Sequence, residues 1–154
     1  MPTIYQWLSE YGESHTNHVN KTIHWICVPI IFFSIVGFLY CIKIPISIAG
    51  VQINVAMILA VLVTIYYFSL SKTIWVGMLL FEVVCLLLCH FIEISDFMPL
   101  WAVSLILFVA AWVGQFYGHK VEGKKPSFLK DLQFLLIGPA WLMSFIYRKL
   151  GVPL

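Results

Sequence analysis

Charge is what this sequence has least of: among 154 residues there are nine Lys or Arg and seven Asp or Glu. With 62% hydrophobic residues and a mean hydropathy of +0.97, the chain carries more apolar surface than a soluble domain of its length can hide. That excludes a soluble globular enzyme. A net charge of +2 is too small to argue for a nucleic-acid partner, so none is expected. Cysteine is scarce as well. Cys27, Cys41, Cys85 and Cys89 lie within or at the edge of apolar runs and read as small core residues, and the helical i, i+4 spacing of Cys85 and Cys89 lacks the surroundings of a structural metal site. No disulfide framework is implied. Residues 1–22 hold Glu10, Glu13 and one Lys but no apolar run, so a secretory signal is not expected. No internal repeat stands out.

Long apolar runs are what the chain does have. Candidate spans run over residues 25–42, 53–70, 74–92 and 100–116, each close to the roughly 20 residues that cross a bilayer. Pro29 falls in the first turns of the first span, where a helix tolerates it. Lys43, Pro45 and Gly50 punctuate a short connection, and residues 71–73 make a tight turn that sets the second and third helices antiparallel. A fifth apolar segment, 128–147, is interrupted by Gly138 and Pro139, leaving open whether it spans or bends back. Near the start, Ile4, Trp7, Leu8 and Tyr11 share a helical stripe too short to cross, which predicts a helix in the interface with Trp7 and Tyr11 at headgroup depth. The expected fold is all-α: one integral membrane domain over 1–154, a multi-pass transmembrane helical bundle of four to five helices with a short N-terminal interfacial helix.

Two polar islands interrupt this pattern. The first, YGESHTNHVNKTIH at residues 11–24, holds His15, His18 and His24 with Asn17 and Asn20; the second, QFYGHKVEGKKP at 115–126, holds His119 and Glu122. Four crossings separate them, and an even number returns the chain to the side it left. Both islands are therefore expected at one membrane face. Lys21, Lys72, Lys120, Lys124, Lys125 and Lys130 gather there, which makes it the cytoplasmic side. Lys124 and Lys125 suit anionic headgroups or a substrate carboxylate.

On an unbroken helix Tyr11, His15 and His18 share one face, while Asn17, Asn20 and His24 share roughly the opposite one. A break between Gly12 and His18 that turns His15 or His18 toward His24 is the expected solution. Imidazoles suit iron, zinc, copper or nickel, and asparagines are better placed to orient them than to ligate. Glu122, one turn beyond His119, can meet it at one site. Histidines plus a carboxylate with open positions serve non-haem ferrous oxygenases, and zinc hydrolases use similar ligands. Three readings follow: an iron oxygenase, a zinc-dependent membrane lipid hydrolase, or a non-catalytic lipid-binding bundle with incidental histidines. Glu82, in mid-span, either reaches the site from beneath or hydrogen-bonds a neighbouring helix. His90 is expected toward the opposite face.

The run H-T-N-H-V-N-K-T-I-H before C-V-P, paired with Q-F-Y-G-H-K-V-E-G-K-K-P some ninety residues on, resembles the 2-hydroxy fatty acid dioxygenase family, small membrane proteins of phytosphingosine breakdown. The resemblance covers nearly the whole chain. It implies a multi-pass helical protein of the bacterial inner membrane or the endoplasmic reticulum. It also implies ferrous iron, Fe(2+), and O2 acting on a 2-hydroxy fatty acid to leave the acid one carbon shorter. Carried over position by position, it implies His15, His18, His24 and His119 as metal ligands, with Glu122, Asn17 and Asn20 as companions in catalysis. The substrate fits the chain physically, because an acyl tail stays in the bilayer while its carboxylate and 2-hydroxyl remain at the interface. Membrane lipids are the other expected partners, and a homo-oligomer is left open.

Overall fold

Thr3 opens the first helix: its hydroxyl accepts from Gln6 N (3.2 Å) while Gln6 Oε1 accepts from Thr3 N (2.8 Å), a reciprocal cap. In the computed structural model, which describes residues 3–13, 15–123 and 128–154, α1 then runs Ile4–Glu13. Its apolar stripe turns inward as expected, but onto protein. Tyr11 is buried with Val28, Phe134, Ile137, Trp141 and Leu142, so the stripe is covered by protein and not by lipid. A one-sided helix ten residues long gains more from packing its stripe against a second apolar helix than from a half-wet interface.

Asn17 caps the next helix, its Oδ1 accepting from Val19 N (2.9 Å) and Asn20 N (3.4 Å), and α2 runs His18–Tyr40. The helix thus starts inside the first polar island, not after it, and Pro29 stands in its interior. Beyond it the connection is a β-hairpin, Lys43–Ile48 (β1) against Val51–Asn54 (β2), where the sequence suggested only a short link. Ala49 and Gly50, with φ of 53° and 80°, make the paired left-handed turn that a two-residue hairpin loop requires. Three further helices follow, α3 at Val55–Leu70, α4 at Ile74–Ser95 and α5 at Leu100–Glu122, and Gly123 ends α5 in the left-handed conformation. Among the described residues three helices, α2, α4 and α5, are long and apolar enough to cross a membrane; α3 is apolar but only 16 residues long. Their outward faces carry exposed Val61, Ile65, Leu80, Leu87, Trp101 and Val113, as lipid contact demands.

The two ends of the bundle are marked by polar contacts. At one, Lys43 Nζ lies 2.8 and 3.0 Å from the two oxygens of Glu93. At the other, Glu122 meets Thr16, Asn17 and Asn20, so both islands share one end, as the count of crossings required. The last helix, α6, is Phe128–Leu150 and continues through Pro139. Tyr67 donates to Leu136 O (2.6 Å), while Tyr147 Oη accepts from Gly77 N (2.9 Å) and donates to Thr73 O (2.6 Å). These partners all lie toward the island end, although their contacts on α6 are eleven residues apart. The C-terminal part of α6 therefore lies beside the turn between α3 and α4, which places Arg148 and Lys149 at the island end, while Leu135 and Leu136 reach a cavity within the bundle.

Helices α2 and α5 approach closely because small residues line the seam. A Cβ on Gly114 would sit 2.6 Å from Cys27 Sγ, one on Gly118 would strike Asn20 Oδ1, and one on Gly37 would strike Ser104 Oγ. Gly37→Ala is expected to destabilise the bundle by about 1–3 kcal/mol, read as a lower unfolding midpoint in detergent. Adding Ser104→Gly should restore most of it; an unchanged midpoint in the single variant would show a looser seam.

Glu82 is buried in α4 and reaches Thr64 on α3 at 2.6 Å. Of the two expectations for this carboxyl, the bond to a neighbouring helix holds. It lines an apolar cavity of about 170 Å³ with Phe32, Val36, Ala60 and Leu86. All four cysteines are free thiols.

Candidate functional site

The break in the first island decides which histidines meet. Between α1 and α2 the chain leaves helical geometry, and His15 N bonds back to Gly12 O at 3.0 Å. This turns His15 inward. Its ring stacks on Tyr11 (4.1 Å between centroids, 10° between planes) and meets His24 edge-on at 4.1 Å. His119, from the last turn of α5, completes the group at 5.6 Å from His24 and 6.4 Å from His15. All three are buried. Trp141 of α6 lies 5.4 Å from His15 and walls the cluster.

Two of the rings are oriented by backbone carbonyls. His15 Nδ1 lies 2.6 Å from Tyr11 O, and His24 Nδ1 lies 2.9 Å from Asn20 O, four residues earlier in each case. A carbonyl only accepts, so Nδ1 donates in both and the lone pair of each ring is on Nε2. That is the arrangement found around metal-binding histidines, in which the second nitrogen fixes tautomer and direction.

Spacing gives a test of fit. With metal–nitrogen bonds of about 2.1 Å and a nitrogen about 1.1 Å from its ring centre, two imidazoles on one ion have centroids about 4.5 Å apart at a right angle and about 6.4 Å when opposed. The two separations involving His119 fall in that window, whereas the 4.1 Å between His15 and His24 falls below it. Accordingly, among the described residues no group of three or more His, Cys, Asp or Glu side chains stands ready as a metal cage. The donor chemistry fits a cation. The ring pair His15–His24 must open by roughly half an ångström to admit it, on the same bond lengths.

Glu122 stands apart from the rings and acts on the backbone that carries them. Its Oε1 accepts from Thr16 N (3.1 Å) and Thr16 Oγ1 (2.6 Å), and its Oε2 accepts from Asn17 N (2.9 Å) and Asn20 Nδ2 (3.1 Å). Four donors suit an ionised carboxylate, and its place at the start of α2 suits the helix dipole. Asn20, wholly buried, links this clamp to His24 through its own carbonyl. Asn17 caps α2. The three expected companions therefore tie the islands together and orient rings.

His18, the first residue of α2, is exposed and outside the ring contacts, and His90 is exposed on α4 beside Phe91. Lys124 and Lys125 lie outside the described residues, as does the side chain of Lys130. Sequence reasoning missed Thr16, the ring of Tyr11 as a stacking partner, Trp141, and Gln115 one turn before His119. Tyr11 carries a signal in its i, i+4 spacing to His15; Trp141 carries none, since only the course of α6 brings it there.

Known proteins bear on this arrangement. Over residues 1–150 the chain matches the family described as 2-hydroxy-palmitic acid dioxygenase Mpo1-like. The 2-hydroxy-palmitic acid dioxygenase MPO1 of Saccharomyces cerevisiae is 32% identical over 148 residues, covering 94% of this chain and 79% of the yeast protein. No solved structure matches. A match over almost the full length, with both polar islands inside it, makes this chain a member of the Mpo1-like family.

Proposed function

We propose that this protein is a membrane dioxygenase that carries out α-oxidation of 2-hydroxy fatty acids, releasing the acid one carbon shorter, with ferrous iron held by His15, His24 and His119. Membership of the Mpo1-like family supports the reaction, and the single structural observation that carries the site is the meeting of three buried imidazoles from both islands. Bound ferrous iron supplies the activation of O2 that no side chain of this protein can provide. The chain's own part is to hold and orient. Nδ1 of His15 and of His24 is anchored to a carbonyl, Glu122 fixes α2 against α5, and Tyr11 and Trp141 pack around the rings and keep bulk water away.

The site lies where the substrate's polar head comes to rest. An acyl tail stays among the lipid-facing helices while carboxylate and 2-hydroxyl stay at the polar end. Lys21, Lys72, Lys120, Arg148 and Lys149 gather at that end, and by the positive-inside tendency it faces the cytoplasm. The whole chain works as a single membrane domain in a bacterial inner membrane or an endoplasmic reticulum.

Purified, iron-loaded protein in detergent is expected to consume O2 when given 2-hydroxypalmitate and to yield pentadecanoate. Hydrolysis of a lipid ester by zinc-loaded protein, with no oxygen uptake by the iron form, would replace this reading with the zinc hydrolase.

A further inference from the structure

Along α5, five of the buried positions are Ser104, Ala111, Gln115, Gly118 and His119. Four have a structural account. Ser104 meets Gly37, Ala111 packs with Cys27 and Ile31, Gly118 makes room for Asn20, and His119 joins the ring cluster. Gln115 has none. It is only 7% exposed, and among the described residues no donor reaches its Oε1. An amide oxygen left so is destabilising, and buried groups of this kind are rare enough in folded proteins to need a reason.

Its position supplies one. Residue 115 precedes His119 by one helical turn, so both side chains leave the same face about 6 Å apart along the axis. A helical side chain leans over the turn before it, which brings the His119 ring down toward Gln115. The neighbours fix the level: a Cβ on Gly114 would lie 2.6 Å from Cys27 Sγ, and one on Gly118 would lie 3.4 Å from Ile23 Cγ2. Gln115 therefore stands opposite the turn of α2 that carries His24, under the three rings and on the side toward the bilayer centre.

We propose that Gln115 Oε1 accepts the hydrogen of the substrate's 2-hydroxyl and so distinguishes a 2-hydroxy acid from an unsubstituted one. This rests on the reading that the site takes 2-hydroxy acids. With the carboxylate at the polar end and the tail in lipid, C2 and its hydroxyl lie deeper than C1, on the side of the rings where this amide stands. A neutral acceptor suits the task because it takes an O–H without repelling the carboxylate beside it. Discrimination then comes from both sides, since an acid lacking the hydroxyl leaves the buried oxygen unpaired. Gln115 is thus a positioning residue that sets substrate choice.

The test is equilibrium binding to iron-loaded protein in detergent under strict exclusion of O2, with 2-hydroxypalmitate, palmitate and 2-methoxypalmitate as probes. The wild-type chain is expected to favour 2-hydroxypalmitate over the other two by about tenfold. In Gln115→Met, which keeps length and loses the acceptor, the three acids should bind alike, with palmitate no weaker than before. Gln115→Asn, which withdraws the acceptor by one methylene, should show a reduced preference and serves if the Met variant fails to fold. A full preference retained in either folded variant, or equal weakening of all three acids, overturns the role of Gln115 alone. Absence of any preference in the wild-type chain overturns the substrate reading along with it.

Discussion

Replacing His119 with Ala is expected to strip the protein of iron and to lower O2 consumption with 2-hydroxypalmitate by about 100-fold or more. Loss of a group that merely orients a metal ligand costs 10–100-fold in affinity or activity, and a direct donor lies at or beyond the upper end of that range. His119 is also the sole ring of the cluster that comes from the second island, so no neighbour on α5 replaces it. The comparison that gives the result meaning is His18→Ala. That residue is exposed at the start of α2, and its loss is expected to leave iron content and turnover within about twofold of the wild type, as for a surface position away from the site. Metal analysis of the purified variants together with oxygen-electrode rates decides the matter. Equal losses in the two variants would mean that His18 swings in to join the site, and retention of iron in His119→Ala would remove the proposed centre.

Glu122 gives the second large effect, of a different kind. It accepts four hydrogen bonds from the segment that begins α2, and removing an ionised acceptor leaves donors at both Thr16 and Asn17 without their partner. Glu122→Ala is expected to cost about 2 kcal/mol of stability and to weaken iron binding by about 10–100-fold through misplacement of Asn20 and His24. Glu122→Gln keeps one acceptor oxygen and hence two of the four bonds, so its effects should fall between those of Ala and the wild type. The unfolding midpoint and the iron affinity are expected to move together across this series. Loss of iron as complete as in His119→Ala, at unchanged midpoint, would instead make Glu122 a direct ligand. A changed midpoint at unchanged affinity would make the clamp structural only.

The two predictions separate donors from the framework that aims them, a distinction the sequence raises without resolving. Spacing along the chain showed that His15, His18 and His24 cannot all point one way from a single helix, and that a break was needed. Which of His15 and His18 turns inward depends on where α2 starts. Asn17 takes the cap and Glu122 binds the backbone just before it, so His18 becomes the first helical residue and faces out while His15 stays in the break. Likewise the carboxylate one turn beyond His119 was legible as a companion of that ring, but its role follows from four donors that lie more than a hundred positions away.

By itself the sequence determined the class of the protein and the meeting of its two polar islands, because hydrophobic length and the parity of crossings depend on composition and chain order alone. It also determined the order of the apolar helices, although α2 begins seven residues before the expected span and α5 ends six residues beyond it, and the hairpin stayed hidden in a short connection. Only the tertiary structure decided that α6 packs on Tyr11 and Tyr67, that Trp141 walls the site, and that His15 and not His18 turns inward. Those facts rest on contacts between segments far apart in the chain, where shape and close packing choose the partners and no local periodicity records the choice.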